Sequence, residues 1–311
     1  MNDIKKMVVG IHLPLFFTQL LFSSIPVLSK LAFANFNPEA VVFFRIAGSA
    51  VVFWLLYLTV FPEPIKDKKD YLHFAVFAFF GVVGNQYFFV KGVSYTLSIN
   101  ASILITTIPI FTVLLAYLGK KEEMSVVKVL GVVLALVGAG TIVGFQKLDF
   151  TGYLKGNLLI LLNSAFFATY LVISKPMLKK YRPFTVITWM YLFSTVGIIP
   201  LTFQKVLAVP YASIPFKGYL PLLGVVYLGT TIPYMINKLI LQKAPSSVVA
   251  IYTYVQPVAG TLMAVALLGE TPSGTMLLST LLILTGVTLV SFHRAIALPN
   301  LFQFKATFKD E

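Results

Sequence analysis

Apolar residues in this chain fall in ten runs of roughly 19 to 23 residues, at about 8–29, 39–61, 71–91, 99–118, 126–145, 156–174, 184–203, 218–238, 246–268 and 275–292. A run of that length covers about 30 Å as an α-helix, the thickness of a hydrocarbon core. Polar residues do not alternate with apolar ones along the runs, so a membrane barrel does not fit. The charged fraction of 11% is far below that of a water-facing surface. The chain therefore reads as an all-α polytopic membrane protein with ten transmembrane helices. The first run is too long, and lacks the small-residue site, for a cleaved signal peptide.

Charge distribution orients the spans. With both termini in the cytoplasm, the inner segments carry 17 of the 24 Lys and Arg residues, among them Lys66, Lys68, Lys69, Lys179, Lys180 and Arg182. The outer segments carry six, namely Lys30, Lys91, Lys147, Lys155, Lys205 and Lys217. This is the asymmetry of an inner or plasma membrane protein with both ends inside. It also accounts for the net charge of +13 without nucleic acid. The expected surroundings are lipid, and a monomer is expected to suffice.

The chain repeats itself. Phe22–Lys30 reads FSSIPVLSK and Phe167–Lys175 reads FATYLVISK, with Phe22/Phe167, Val27/Val172, Ser29/Ser174 and Lys30/Lys175 identical at an offset of 145. Pro38/Pro183 and Ser49/Ser194 follow at the same offset. At an offset of 148, Ser98/Ser246, Pro109/Pro257, Leu114/Leu262, Glu122/Glu270 and Gly138/Gly286 match. The expected organisation is a first five-helix repeat at 1–155, a second at 156–292 and a cytoplasmic tail at 293–311. Five is odd, so the halves enter the membrane from opposite sides. Such inverted repeats build many secondary transporters, with the site between the halves at the midplane.

The arginine in PEAVVFFRIAG (Arg45), the paired runs KGVSYTLSINASILITTIPIF and LQKAPSSVVAIYTYVQPVAG, and the paired ends LGKKEE and LLGE resemble the drug/metabolite transporter superfamily, in its amino-acid and metabolite exporter (EamA) branch. The resemblance covers residues 10 to 292 and implies two five-helix halves and export of small metabolites. The second half departs from it by carrying Met190 where the first carries Arg45.

Polar side chains inside the spans are site candidates, because they are costly in hydrocarbon unless paired or facing water. All eleven acidic residues and all three histidines sit in loops or near span ends, and cysteine is absent. No catalytic constellation, metal site or cofactor motif is expected, and neither is a proton relay through a buried acid. Span 3 carries Asn85, Gln86 and Tyr87, which align in the repeat with TTIPYMINK of span 8, where Tyr234 follows Pro233. Pro233 removes a backbone donor and frees a carbonyl near Gly229. Span 6 puts Asn163 and Tyr170 on one face, and span 1 carries Gln19. Spans 4 and 9 carry Thr106, Tyr252 and Gln256 near Pro109 and Pro257, with the cavity-facing side left open. Arg45 is expected near the outer interface, in a structural role or in contact with substrate. Lys91 and Lys238 are expected to snorkel, and Gly138, Gly140 and Gly286 to mark close helix packing.

The leading expectation is a carrier for a small-molecule substrate, an amino acid or similar amphipathic solute, working by alternating access. Amides and hydroxyls would hold its polar head and aromatic faces its remainder. A carrier of phosphorylated or other anionic metabolites is the alternative, and a non-transporting scaffold or receptor is the alternative of another class.

Overall fold

The computed structural model describes residues 12–120, 124–143, 153–241, 252 and 254–291, the side chains of 237–241 excepted. Regular structure among these residues is entirely helical. Among the described residues nine helices are long and apolar enough to span a membrane: α1 (Leu13–Ala32), α2 (Pro38–Thr59), α3 (Asp70–Tyr95), α4 (Ser98–Leu118), α5 (Val126–Val143), α6 (Tyr153–Ile173), α7 (Pro183–Leu207), α8 (Phe216–Ile236) and, after the shorter apolar α9 (Val255–Leu268), α10 (Gly274–Ser291). The ninth span read from the sequence begins at 246, and residues 246–251 and 253 lie outside the described ones.

Local chemistry explains the boundaries. Asn37 caps α2, its side chain accepting from the Ala40 N–H at 2.8 Å, with Pro38 in the first turn. The repeat-matched Pro183 begins α7 in the same way, and the residue before it is extended as a pre-proline residue prefers. Gly269 ends α9 in the left-handed conformation that glycine adopts without strain. In α4 a tightened 3₁₀ turn, Ile105–Thr107, precedes Pro109, which cannot donate to the turn behind it.

Helices of the two halves interlock by a symmetric rule. Equivalent helices pack on one another as α2 on α7, α4 on α9 and α5 on α10. Helix α3 packs on α6 and α7, and its counterpart α8 packs on α1 and α2. Helix α4 packs on α6, and α9 on α1. Exchanging the halves maps this set onto itself, as an inverted repeat requires. The α5–α10 pair approaches to backbone contact: a Cβ on Gly131 would lie 2.6 Å from the Gly286 carbonyl oxygen. One on Gly138 would lie 2.8 Å from Leu282. Small residues here let the helices meet closely.

Charged groups close both ends of the bundle. At one end Lys91 meets Glu39 at 2.8 Å rather than snorkelling freely. At that end too, Glu270 accepts from the Ser98 and Ile99 N–H groups that open α4 and lies 3.3 Å from Lys30. At the opposite end Asp70 takes Lys180 at 2.6 Å and the Tyr181 hydroxyl. The bond to Asp70 raises the Lys180 pKa above the ordinary lysine value. Burial, then the same carboxylate, raises that of Tyr181.

Candidate functional site

Between these ends, α2, α3, α7 and α8 bring together a buried polar cluster. Its backbone setting is unusual. Helix α3 turns π-helical over Phe79–Gly84, just before Gln86. Helix α8 does so over Gly224–Thr231, just before Tyr234. The two segments occupy matching places in the repeat, and π turns inside α-helices recur at functional sites. In α8 the Thr230 and Thr231 hydroxyls donate to the carbonyls of Val225 and Val226, five residues back, at 2.9 and 2.8 Å. Pro233, one residue beyond Ile232, is buried.

Arg45 reaches this cluster from α2. It does not extend to the interface: the residue is 5% exposed and its Nε donates to Thr230 Oγ1 at 2.8 Å. Its guanidinium lies 5.7 Å from the Phe89 ring centre. Its Nη1 has no hydrogen-bond partner, and no carboxylate of the described residues forms an ion pair with it. Removing such a cation from water costs several kcal/mol unless it is paired.

Gln86, with no exposed surface, donates from Nε2 to the Tyr191 hydroxyl at 2.8 Å, while its Oε1 has no partner. Tyr191 is itself fully buried and stands edge-on to Tyr234 at 6.0 Å and to Phe53 at 5.0 Å. Phe22 of α1 meets Tyr234 edge-on at 5.6 Å. The repeat-matched serines act alike across the halves. Ser49 Oγ bonds Thr231 Oγ1 at 2.9 Å and lies 3.4 Å from Val226 O in the π segment of α8, and Ser194 donates to Met190 O at 2.6 Å and lies 3.4 Å from Ala78 O beside the π segment of α3.

Other polar residues singled out in the sequence fall elsewhere. Asn85 and Asn163 clamp α3 to α6: Asn163 Nδ2 donates to the Asn85 carbonyl at 2.8 Å, and Asn85 Nδ2 donates to the Asn163 carbonyl at 3.4 Å. Tyr170 is buried at the edge of the cluster, against Phe77, where a Cβ on Gly81 would strike both it and Met190. Tyr87 is half-buried against Phe88. Thr106 donates locally to the Ile103 carbonyl. Gln256 donates to Gln19 at 2.6 Å, and His12 meets the Tyr252 hydroxyl at 2.7 Å, both joining α1 to the α9 region. The structure thus joins Gln86 and Tyr234 around Tyr191, and sets Asn85, Asn163, Gln19, Gln256 and Tyr252 along helix seams.

Tyr191 and Thr230 are members that sequence reasoning missed. A signal for Tyr191 exists: Thr188, Tyr191 and Ser194 recur every three residues along α7, a polar stripe on one face, and all are fully buried. Among the described residues no three His, Asp or Glu side chains are grouped to hold a metal ion.

Comparison with known proteins accords with this architecture. The model of the EamA-like transporter family matches twice, over residues 11–144 and 154–292. An uncharacterized transporter of Archaeoglobus fulgidus is 27% identical over 90% of this chain and 96% of its own length. The uncharacterized transporter YdfC of Bacillus subtilis is 28% identical over 81% of each chain. A solved crystal structure superposes with a TM-score of 0.62 at 17% identity, over 91% of this chain and 97% of the other, a likeness of fold.

Proposed function

This chain belongs to the EamA-like transporter family and is a multi-pass membrane transporter, and from that premise we propose that it exports or exchanges amino acids or similar amphipathic metabolites by alternating access. One observation carries the reading: Arg45 and Gln86 from the first half meet Thr230 and Tyr191 from the second, with Tyr234 beside Tyr191, deep in the bundle, and polar atoms are left over on Arg45 and Gln86. A site shared between inverted halves is exposed to either side in turn when one half rocks against the other. The cargo crosses unchanged, in the cell membrane, with both termini on the cytoplasmic side as the lysine and arginine asymmetry favours.

Purified protein in proteoliposomes, challenged with a panel of radiolabelled amino acids, tests this. Flux of at least one is expected, and it should persist when an ionophore collapses the pH gradient. The supporting observation is that Glu39, Asp70 and Glu270 are ion-paired at the bundle ends, away from the cluster. Absence of flux for every amino acid would remove that cargo class and leave a carrier of something else.

A second reading, a phosphorylated metabolite, draws on the buried guanidinium of Arg45. It is the weaker one, because a phosphate dianion calls for more than one cation and Lys91 is already held by Glu39.

A further inference from the structure

We propose that a cavity between the start of α2 and the end of α7 is a lipid site, holding the head group of an anionic phospholipid of the phosphatidylglycerol kind, with the phosphodiester on Lys205 and a head-group hydroxyl on Glu39. It lies apart from the cluster around Tyr191 and is read by binding rather than by flux, so it stands or falls separately from the carrier reading.

The cavity has a volume of about 500 Å³, within the range of small-ligand sites, and its walls include Glu39, Ile199, Leu201, Phe203, Gln204 and Lys205. Glu39 lies in the first turn of α2 and Lys205 in the last turn of α7. One side chain ties these two helix ends together. Asn37 Oδ1 accepts from the Ala40 N–H at 2.8 Å, and Asn37 Nδ2 donates to the Lys205 carbonyl at 2.8 Å. The carboxylate and the lysine therefore open onto one space because the same asparagine anchors both ends.

Position decides what can reach this space. Ile198 and Thr202 of α7 are buried in the bundle, whereas Ile199, Leu201 and Phe203 are exposed. The cavity thus opens on the outer surface of the bundle, not on the seam between the halves, and exposed apolar residues on a membrane-spanning helix meet lipid. Lys205, in the last turn, stands at the level where lysines meet head groups. An occupant lays apolar chains on Ile199, Leu201 and Phe203 and brings a polar head to Glu39, Gln204 and Lys205. That is the shape of a bilayer lipid.

Charge count selects the head. Glu39 Oε1 accepts from Lys91 at 2.8 Å, so this pair is neutral. No carboxylate of the described residues forms an ion pair with Lys205. The remaining positive charge matches one phosphodiester, which carries a single negative charge. The second oxygen of the Glu39 carboxylate can only accept, and a hydroxyl satisfies it without adding charge. The ammonium of phosphatidylethanolamine would instead place a further cation beside Lys91, and its head as a whole would leave Lys205 unmatched. Basic pockets at helix ends take anionic head groups on the same grounds.

The test uses full-length protein, delipidated in detergent and then given equimolar phosphatidylglycerol and phosphatidylethanolamine with the same acyl chains. Native mass spectrometry reads which lipid stays bound. Phosphatidylglycerol should be retained about tenfold over phosphatidylethanolamine. Lys205→Met should lower its retention about tenfold, and Lys205→Arg, which keeps the charge and suits phosphate, should restore it. Lys217→Met, at an exposed lysine outside the cavity, should bind as wild type does. Equal retention of the two lipids, retention of neither, or wild-type retention in Lys205→Met would overturn the site. Equal losses in Lys205→Met and Lys217→Met would overturn it as well, leaving only general surface charge. The comparison of the two lipids on wild-type protein keeps the test decisive even if a variant does not fold.

Discussion

The seam between α3 and α6 and the seam between α8 and α1 occupy equivalent places in the two halves, yet they are held differently. At the first, two asparagines each donate to the other's backbone carbonyl, and Gly92 and Gly156 bring the helix backbones into contact. Thr96, Asn100 and Asn157 add a further buried hydrogen-bonded group. At the second, Gly229 of α8 meets the side chain of Ile25, and Tyr234 meets Phe22 ring to ring. Parting the first seam would strand buried carbonyls. Parting the second would, among the described side chains, separate apolar surfaces and rings. Equal topology therefore does not mean equal bonding: the α3–α6 seam is tied by buried hydrogen bonds, and the described contacts of the α1–α8 seam are apolar.

Substitutions at the two seams can break this contrast. The largest effect is expected from Gly156→Val. Its Cβ would sit 2.7 Å from the Thr96 nitrogen and 2.8 Å from the Gly92 oxygen, backbone atoms that cannot turn aside. A loss of about 3 kcal/mol is expected, read as a marked drop in Tm of the detergent-purified protein. Gly229→Ala should cost less than about 1 kcal/mol, because the Ile25 side chain can rotate away. Equal damage at both sites would refute the contrast.

Next in size is Asn163→Leu, which leaves the Asn85 carbonyl without its 2.8 Å donor in a buried place. About 1–2 kcal/mol is expected. Gln19→Leu, at a partly buried pair in the α1–α9 seam, should cost under about 1 kcal/mol. Thermal melts of the two side by side decide the order.

Smaller still for stability is Tyr234→Phe. Removing one hydroxyl from a half-buried ring on the looser seam should change stability by about 0.5 kcal/mol or less, yet lower flux about tenfold through a lost hydrogen bond. Unchanged flux would separate the looser seam from the transport path.

The smallest effect lies off both seams, at Lys180. Its pKa is raised by the bond to Asp70, so this pairing supports the fold below the ordinary lysine value and fades as pH rises through the raised one. Any Tm difference between wild type and Lys180→Met should be present at pH 8 and shrink as the pH is taken above the ordinary lysine value.

Much of this architecture is legible in the order of residues alone. Apolar run length yields the spans, Pro38 and Pro183 mark where α2 and α7 begin, and Gly138 and Gly286 lie where helices touch. Side-chain direction is harder to read. Asn85 and Gln86 are neighbours in the chain but about 100° apart around a helix, so one clamps α6 and the other meets Tyr191. In a soluble helix an apolar stripe would show which faces inward. Here both faces are apolar, one toward protein and one toward lipid, and that marker is lost. The same uniformity hides the π segments, because one additional residue in an oily run alters no pattern. Arg45 is visible in the sequence, but its depth depends on Thr230 and Phe89 of other helices.

Those π segments behave as insertions in a helical reading frame. Bonding five residues apart rather than four accommodates one residue more than an α-helix would, and everything downstream is turned by about 100° relative to what comes before. Deleting a single codon, that of Val83 in α3, should let Phe79–Gly84 relax to ordinary helix and swing Gln86 away from Tyr191, with the membrane insertion of α3 unchanged. Such a deletion that still transports would show that the additional residue does not aim the glutamine. A π segment of the same kind recurs over Gly224–Thr231 of α8, just before Tyr234, so the same rotation sets the direction of that tyrosine.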